Sequence, residues 1–320
     1  MKSNRRFTGR YAIGIEIGGT KTQVGIGTVE GELLRATVHR MAVEREQGAS
    51  AIRRNLTFMV DAALASGHLT LRDIEKVGIG FGGPVDALRG ATLQSFQIAG
   101  WEEFPLKNWA EKQWGKPVFL ENDASTAGLA ESRFGNGRGY SRLFFITLGS
   151  GIGGGWILNG RIDNGQGLGA AEVGHLWVTD PQTGEAAELE QICSGWAIGR
   201  RARIAASETD SIMTEIAGSL EAIDARVVYA AARQGDEPAV RVLTETCRTL
   251  GMAIANVVAL LHPERVVLGG GVSLMGPIFW KSLKREFRSR VMPVFAPGVD
   301  LVPAKLKENV VLIGSLCLGS

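Results

Sequence analysis

One pattern occurs twice in this chain and constrains its fold more than any other feature. Residues 12–17 form a short apolar run that ends in Gly18-Gly19, and residues 21–27 continue with Val24 and Ile26 on one face. Residues 143–148 repeat the apolar run and residues 149–155 the glycine-rich stretch. Residues 156–158 repeat the following strand, which reaches a turn at Asn159-Gly160. Short apolar runs bounded by glycine predict strands. Clustered glycines predict turns in which the backbone comes close to something else. A strand, glycine turn and strand early in each half imply two lobes of related architecture. The boundary is placed near residue 121, giving lobes 1–121 and 122–307. A length of 320 residues suits two such lobes.

The remaining pattern fills in both halves. Residues 33–38 read as a third strand. Ile52, Leu56, Met59, Val60, Ala63 and Leu64 recur at helical spacing, and Gly67 closes that helix. Residues 77–81 form a buried strand into Gly82-Gly83-Pro84. Residues 117–120 form another, into Glu121-Asn122-Asp123, followed by a helix over 124–134 that stops at Gly135. The second half continues with helices over 196–206, 222–234 and 238–261. A strand over 265–268 then enters Gly269-Gly270-Gly271, and a last predicted helix starts near Pro277.

Charge and cysteine usage exclude several classes. Thirty-five basic and 33 acidic residues give a net charge of +2, which argues for neither a nucleic acid nor an acidic membrane surface as partner. The start, residues 1–10, is basic, but the apolar stretch at 11–15 ends at Glu16 and is too short for a signal-peptide core. No run approaches the roughly 18 apolar residues of a membrane span. Cys193, Cys247 and Cys317 are widely separated and have no ligand spacing, as expected of buried thiols in a reducing compartment. These features predict a cytoplasmic protein.

Three glycine turns carry candidate chemistry. In Glu16-Ile17-Gly18-Gly19-Thr20-Lys21 the two glycines let backbone N–H groups converge on an anion. Thr20 adds a hydroxyl and Lys21 a positive charge, and Glu16 suits Mg²⁺ held through water. This is not a Walker A loop, because Gly19 is followed by Thr20 and no helix opens there. The alternative is a plain hairpin turn. The second turn runs Gly149-Ser150-Gly151-Ile152-Gly153-Gly154-Gly155. It matches GxGxxG in letters, but residues 156–158 read as strand where that fingerprint needs a helix. A second phosphate-binding hairpin, with Ser150 and the amides of Gly149 and Gly151 as donors, fits better. Gly270 and Gly271, after a buried strand, offer a flat surface to a nucleobase and ribose, or make a simple strand-to-helix turn.

Two polar groups complete the set. Asp123 precedes a helical run, so it is either a helix N-cap or a general base that takes a proton from a sugar hydroxyl. Asn122 beside it suits a hydrogen bond to the same sugar. Glu172-Val173-Gly174-His175 pairs an acceptor with a donor, as sugar recognition requires. A structural histidine and a metal fragment are the other readings, and no third ligand at metal spacing stands nearby. Glu190 lies close enough in sequence to complete the ring of contacts.

In order, Glu16 to Lys21, Gly82-Gly83-Pro84-Val85, Glu121-Asn122-Asp123, residues 148–155, Glu172 to His175 and residues 269–272 resemble the ROK family of repressors, open reading frames and sugar kinases. The resemblance runs from about Tyr11 to the end. It implies an α/β, two-lobed, actin-like (ribonuclease H-like) ATPase fold with ATP and sugar in the inter-lobe cleft. It also implies a C-terminal helix over 308–320 packing back on the first lobe. The implied activity is transfer of the ATP γ-phosphoryl group to the 6-hydroxyl of a hexose, glucose by default, with Mg²⁺ on the phosphates. The rivals are fructose, mannose and N-acetylated hexosamines. Asp123 is the implied base. Gly83, Asn122, Asp123, Glu172, His175 and Glu190 are the implied sugar contacts, and homodimers or homotetramers the implied assemblies.

The chain departs from the family pattern in three places. Only about ten residues precede the first turn, which argues against a DNA-binding repressor. Glu16 stands where the family usually has aspartate. The segment 176–191, where the family usually carries a cysteine-rich zinc loop, holds no cysteine, so no structural zinc is expected. Two further classes stay open: a sugar- or nucleotide-responsive regulator without turnover, and an actin-like or chaperone-like ATPase with no sugar substrate.

Overall fold

The computed structural model describes residues 10–95 and 97–320. The basic start before Arg10, and Phe96, lie outside them. The chain forms two compact units. The first comprises residues 1–135, 160–170 and 308–320, and the second residues 136–159 and 171–307. Among the described residues no helix is long and apolar enough to cross a membrane.

The first unit is built on a five-stranded sheet. Its strands are β1 (Tyr11–Ile17), β2 (Lys21–Thr28), β3 (His39–Ala42), β4 (Ile74–Phe81) and β5 (Val118–Asn122), in the order β3-β2-β1-β4-β5. β1 pairs antiparallel with β2 and parallel with β4, and β4 runs parallel to β5, which follows helix α2 (Leu106–Trp114). Side chains alternate across a strand, and β1 uses both faces. Ile13, Ile15 and Ile17 pack in one core with Ile52, Leu56, Met59 and Val60 of helix α1 (Gly48–Gly67). On the other face Ala12 packs with Leu316 of the C-terminal helix Val310–Leu316. That helix lies directly on a glycine floor. A Cβ on Gly78 would stand 1.9 Å from the Ser315 carbonyl oxygen, so only glycine admits this approach.

The third strand begins later than the sequence pattern predicts. Residues 35–37 form a 3₁₀ turn, and β3 starts at His39. The buried Thr37 hydroxyl is the cause. It accepts from the Ile26 N–H at 2.8 Å and lies 2.7 Å from the Leu34 carbonyl, which ties the segment into a turn. The helix closure also shifts by one residue, with His68 rather than Gly67 in the left-handed conformation.

The second unit opens in the same way as the first. β6 (Arg142–Leu148) and β7 (Ile152–Leu158) form an antiparallel hairpin. β10 (Arg265–Gly269) adds parallel to β6, and β11 (Asp300–Pro303) parallel to β10. Residues 153–155, read above as part of the glycine turn, belong to β7, paired to Thr147, Ile146 and Phe145. Between these strands a small hairpin, β8 (Trp177–Thr179) with β9 (Ala186–Glu188), occupies the cysteine-free segment. Helices α4 (Leu189–Cys193), α5 (Gly195–Glu208), α6 (Ala225–Ala232), α7 (Glu237–Leu261) and α8 (Pro277–Arg288) share one apolar core with the sheet. The α/β fold expected from the sequence, a mixed sheet with helices, is the fold observed.

Candidate active site

The first unit brings the Glu16–Lys21 turn, Gly82-Gly83 and the start of helix α3 (Asp123–Phe134) together. Gly18 N–H donates to the Lys21 carbonyl at 3.0 Å, and Gly82 N–H to the Ile17 carbonyl at 2.8 Å. A Cβ on Gly82 would stand 3.3 Å from Gly18 Cα and 3.3 Å from Asp123 Oδ2, which measures how closely turn and carboxylate flank this glycine. Asp123 is the first residue of α3, where unpaired N–H groups favour negative charge.

The cap itself is Asn122. Its Oδ1 accepts from the N–H groups of Ala124 at 2.8 Å and Ser125 at 3.1 Å, and its Nδ2 donates to the Gly83 carbonyl at 3.1 Å. The sequence placed the cap one residue too far along. Asparagine and aspartate cap equally well, so adjacent candidates are not separable by type. Asn122 keeps a second amide hydrogen, and the capping role belongs to it and not to Asp123.

Glu16 is buried, with only 7% of its surface exposed. Its Oε2 accepts from Gln23 Nε2 at 2.5 Å, and Lys21 Nζ stands 3.7 Å from Oε1. Burial pushes the carboxyl above the usual glutamate range, and Lys21 and Gln23 oppose that shift. Gln23 is held in turn by Arg40, and Arg40 by Asn309 at 2.8 Å. Thr20 is exposed at the turn. Two residues not anticipated from the sequence also lie here. A Cβ on Gly19 would stand 2.0 Å from Gln97 Oε1, and Arg45 donates to that oxygen at 3.1 Å. Neither has a local motif that would have marked it.

The second unit gathers the other glycine turns. Gly149 N–H donates to the Gly151 carbonyl at 2.9 Å, and Gly195 N–H at the start of α5 donates to the Gly149 carbonyl at 2.8 Å. Gly270, at φ +80, would place a Cβ 2.4 Å from the Leu148 carbonyl. Only glycine satisfies both constraints, so the Gly270-Gly271 turn lies directly against the Gly149–Gly151 turn. Ser150 is exposed at the tip of that turn.

Glu190, on α4, is tied to the same turn. Its Oε2 accepts from the Ile152 N–H at 2.6 Å and lies 2.4 Å from where a side chain at 151 would begin. The guanidinium of Arg201, 1% exposed, reaches the Ile192 carbonyl at 3.4 Å and Glu245 at 2.5 Å, fixing α4 from behind. Glu172 precedes, and His175 ends, a 3₁₀ turn over Val173–His175. Desolvation and nearby Glu190 push the Glu172 carboxyl up, and His175 opposes this. His175 Nδ1 lies 3.2 Å from Glu188 Oε1, a contact between residues 13 apart that the sequence did not reveal.

Comparison with known proteins identifies the family. A family model described as ROK family matches residues 12–319. A glucokinase of Thermotoga maritima is 33% identical over 312 residues, 95% of this chain and 95% of that protein. Among solved structures, a ROK family glucokinase from Streptomyces griseus in complex with glucose and AMPPNP superposes with a TM-score of 0.80. It is 33% identical and the match covers 96% of this chain and 98% of that one. A ROK hexokinase from Thermus thermophilus gives a TM-score of 0.77 at 28% identity, covering 96% and 97%.

Proposed function

We propose, for a chain that belongs to the ROK family and is an ATP-dependent sugar kinase, that the phosphoryl acceptor is the 6-hydroxyl of a hexose, with glucose as the preferred sugar. The single observation that carries this reading is the placement of Asp123. It stands against Gly82 beside the first glycine turn, at the start of the helix that Asn122 caps. In this reading the sugar oxygen attacks the γ-phosphorus while its proton passes to Asp123. The bond to the β-phosphate oxygen breaks, and ADP leaves. Such a base contributes about 10²- to 10⁴-fold.

The other roles follow. Gly19, Thr20 and Lys21, with Ser150 and Gly151, supply donors to the phosphates, while Gly18 and Gly149, whose N–H groups close their own turns, shape the two hairpins around them. Gly270 and Gly271 receive the nucleoside. Gly83, Asn122, Glu172, His175 and Glu190 bind the sugar. Mg²⁺ neutralises phosphate charge when it enters with the nucleotide. Glu16, a single buried carboxylate whose ionisation a cation favours, fits an ion that keeps most of its waters. Assembly as a homodimer or homotetramer belongs to the same reading and is tested by light scattering.

The test is ADP release from Mg-ATP across a panel of hexoses and N-acetylhexosamines, with a control lacking sugar. Release that depends on glucose supports the proposal. Release with a different sugar moves the substrate, and equal release without sugar overturns the kinase reading.

A further inference from the structure

We propose that Glu188 is a positioning residue for the sugar site: it holds His175 as the Nδ1–H tautomer and fixes the orientation of the ring. The inference deepens the kinase reading and rests on it only where it assigns His175 to the sugar. Three observations carry it. First, His175 Nδ1 and Glu188 Oε1 are 3.2 Å apart. An ionised carboxylate only accepts, so the facing nitrogen must carry the proton. The neutral ring then bears its lone pair on Nε2, the form that accepts from a sugar hydroxyl.

Second, the contact is built by the fold and not by chance proximity on a surface. Register pairs Trp177 with Glu188 and Thr179 with Ala186. Leu189 N–H continues the ladder to the Leu176 carbonyl at 2.8 Å, and Val178 and Leu189 are buried beneath it. The turn is closed by Asp180, whose carbonyl accepts from Gly184 N–H at 2.8 Å and whose side chain accepts from Gln182 N–H at 2.8 Å. This hairpin occupies the cysteine-free segment 176–191, and through it the chain orients its histidine with a carboxylate.

Third, Glu188 and Glu190 are divided in their tasks. Glu190 is anchored on the Ile152 amide, leaving Glu188 to engage the ring. The Glu188 side chain is 29% exposed and that of His175 48%. A contact so exposed adds little to stability. Its consequence is the choice of tautomer and ring direction, which stability measurements do not read.

Ring ¹⁵N spectra of the full chain labelled at histidine test this directly. There are four histidines, and the variant His175→Gln identifies the signals of interest. In the unmodified protein His175 should show a protonated Nδ1 and an unprotonated Nε2. Glu188→Ala should give a mixture of tautomers and raise the sugar KM about tenfold, the loss of roughly one hydrogen bond. The ATP KM and kcat should stay within about twofold, because the change affects ground and transition states alike. Glu188→Gln can turn either its oxygen or its NH2 toward Nδ1, so it should restore the single tautomer and the KM only in part.

A single tautomer in Glu188→Ala overturns the proposal, as does an unprotonated Nδ1 in the unmodified protein. The spectrum of the unmodified protein decides the matter even if the variant fails to fold. A shifted tautomer with unchanged sugar KM overturns the link to the sugar site. Should the unmodified protein turn over no sugar, the kinase reading falls, while the ring spectra still decide whether Glu188 sets the tautomer.

Discussion

Replacing Asn122 with alanine removes three hydrogen bonds at once. Oδ1 no longer accepts from Ala124 and Ser125, so α3 loses its cap, typically about 1 kcal/mol. Nδ2 no longer donates to Gly83, a partly buried bond worth about 1 kcal/mol. The expected total is about 2 kcal/mol. For a unit of about 150–250 residues each kcal/mol lowers the melting temperature by about 2–4 °C, so the unliganded first unit should melt about 4–8 °C lower. Asn122→Asp separates the parts. Aspartate caps as well as asparagine but cannot donate to Gly83, so about half of the loss should remain. Scanning calorimetry without ligands measures both variants. An Asn122→Ala protein that melts with the unmodified chain would refute the assignment of this side chain as the brace between β5, α3 and Gly83.

Two further predictions concern ionisation and metal. Glu121 Oε1 accepts from Asn164 at 2.8 Å, while Oε2 is buried without a partner, and burial holds the carboxyl above the usual glutamate range. Its contribution to stability is therefore fully present below the unfolded glutamate pKa and is lost as pH rises through the higher folded value. Glu121→Gln cannot ionise, so relative to the unmodified protein it should be more stable at about pH 8 than at about pH 4; thermal melts at both, with a difference of opposite sign, would refute this. Residues 176–191 contain no cysteine and are closed by hairpin pairing, so chelation with EDTA should abolish turnover yet leave the melting temperature unchanged. A fall of several degrees would reveal a structural metal.

Features set by local chemistry were legible in the sequence. The glycine turns stood out because a backbone that must bend or approach closely leaves glycine as its trace, as at Gly270. The strands of both hairpins followed from their apolar runs. Features set by one side chain's choice of partner were not. Thr37 turns a segment that reads as strand because its hydroxyl finds the Ile26 backbone. Asn122 took the cap from Asp123, and no rule of residue type separates the two. Glu188 reaches His175 only through a hairpin register that pairs Trp177 with Glu188. Gln97 meets Gly19, and Arg45 meets Gln97, from distant points in the chain.

The claim that Asp123 is the base is tested most directly by the variant Asp123→Asn, assayed for glucose-dependent ADP release alongside calorimetric glucose binding. The account predicts that kcat falls by about 10²-fold or more while glucose affinity changes little. Near-normal turnover in a folded variant would contradict it and remove Asp123 from the reaction.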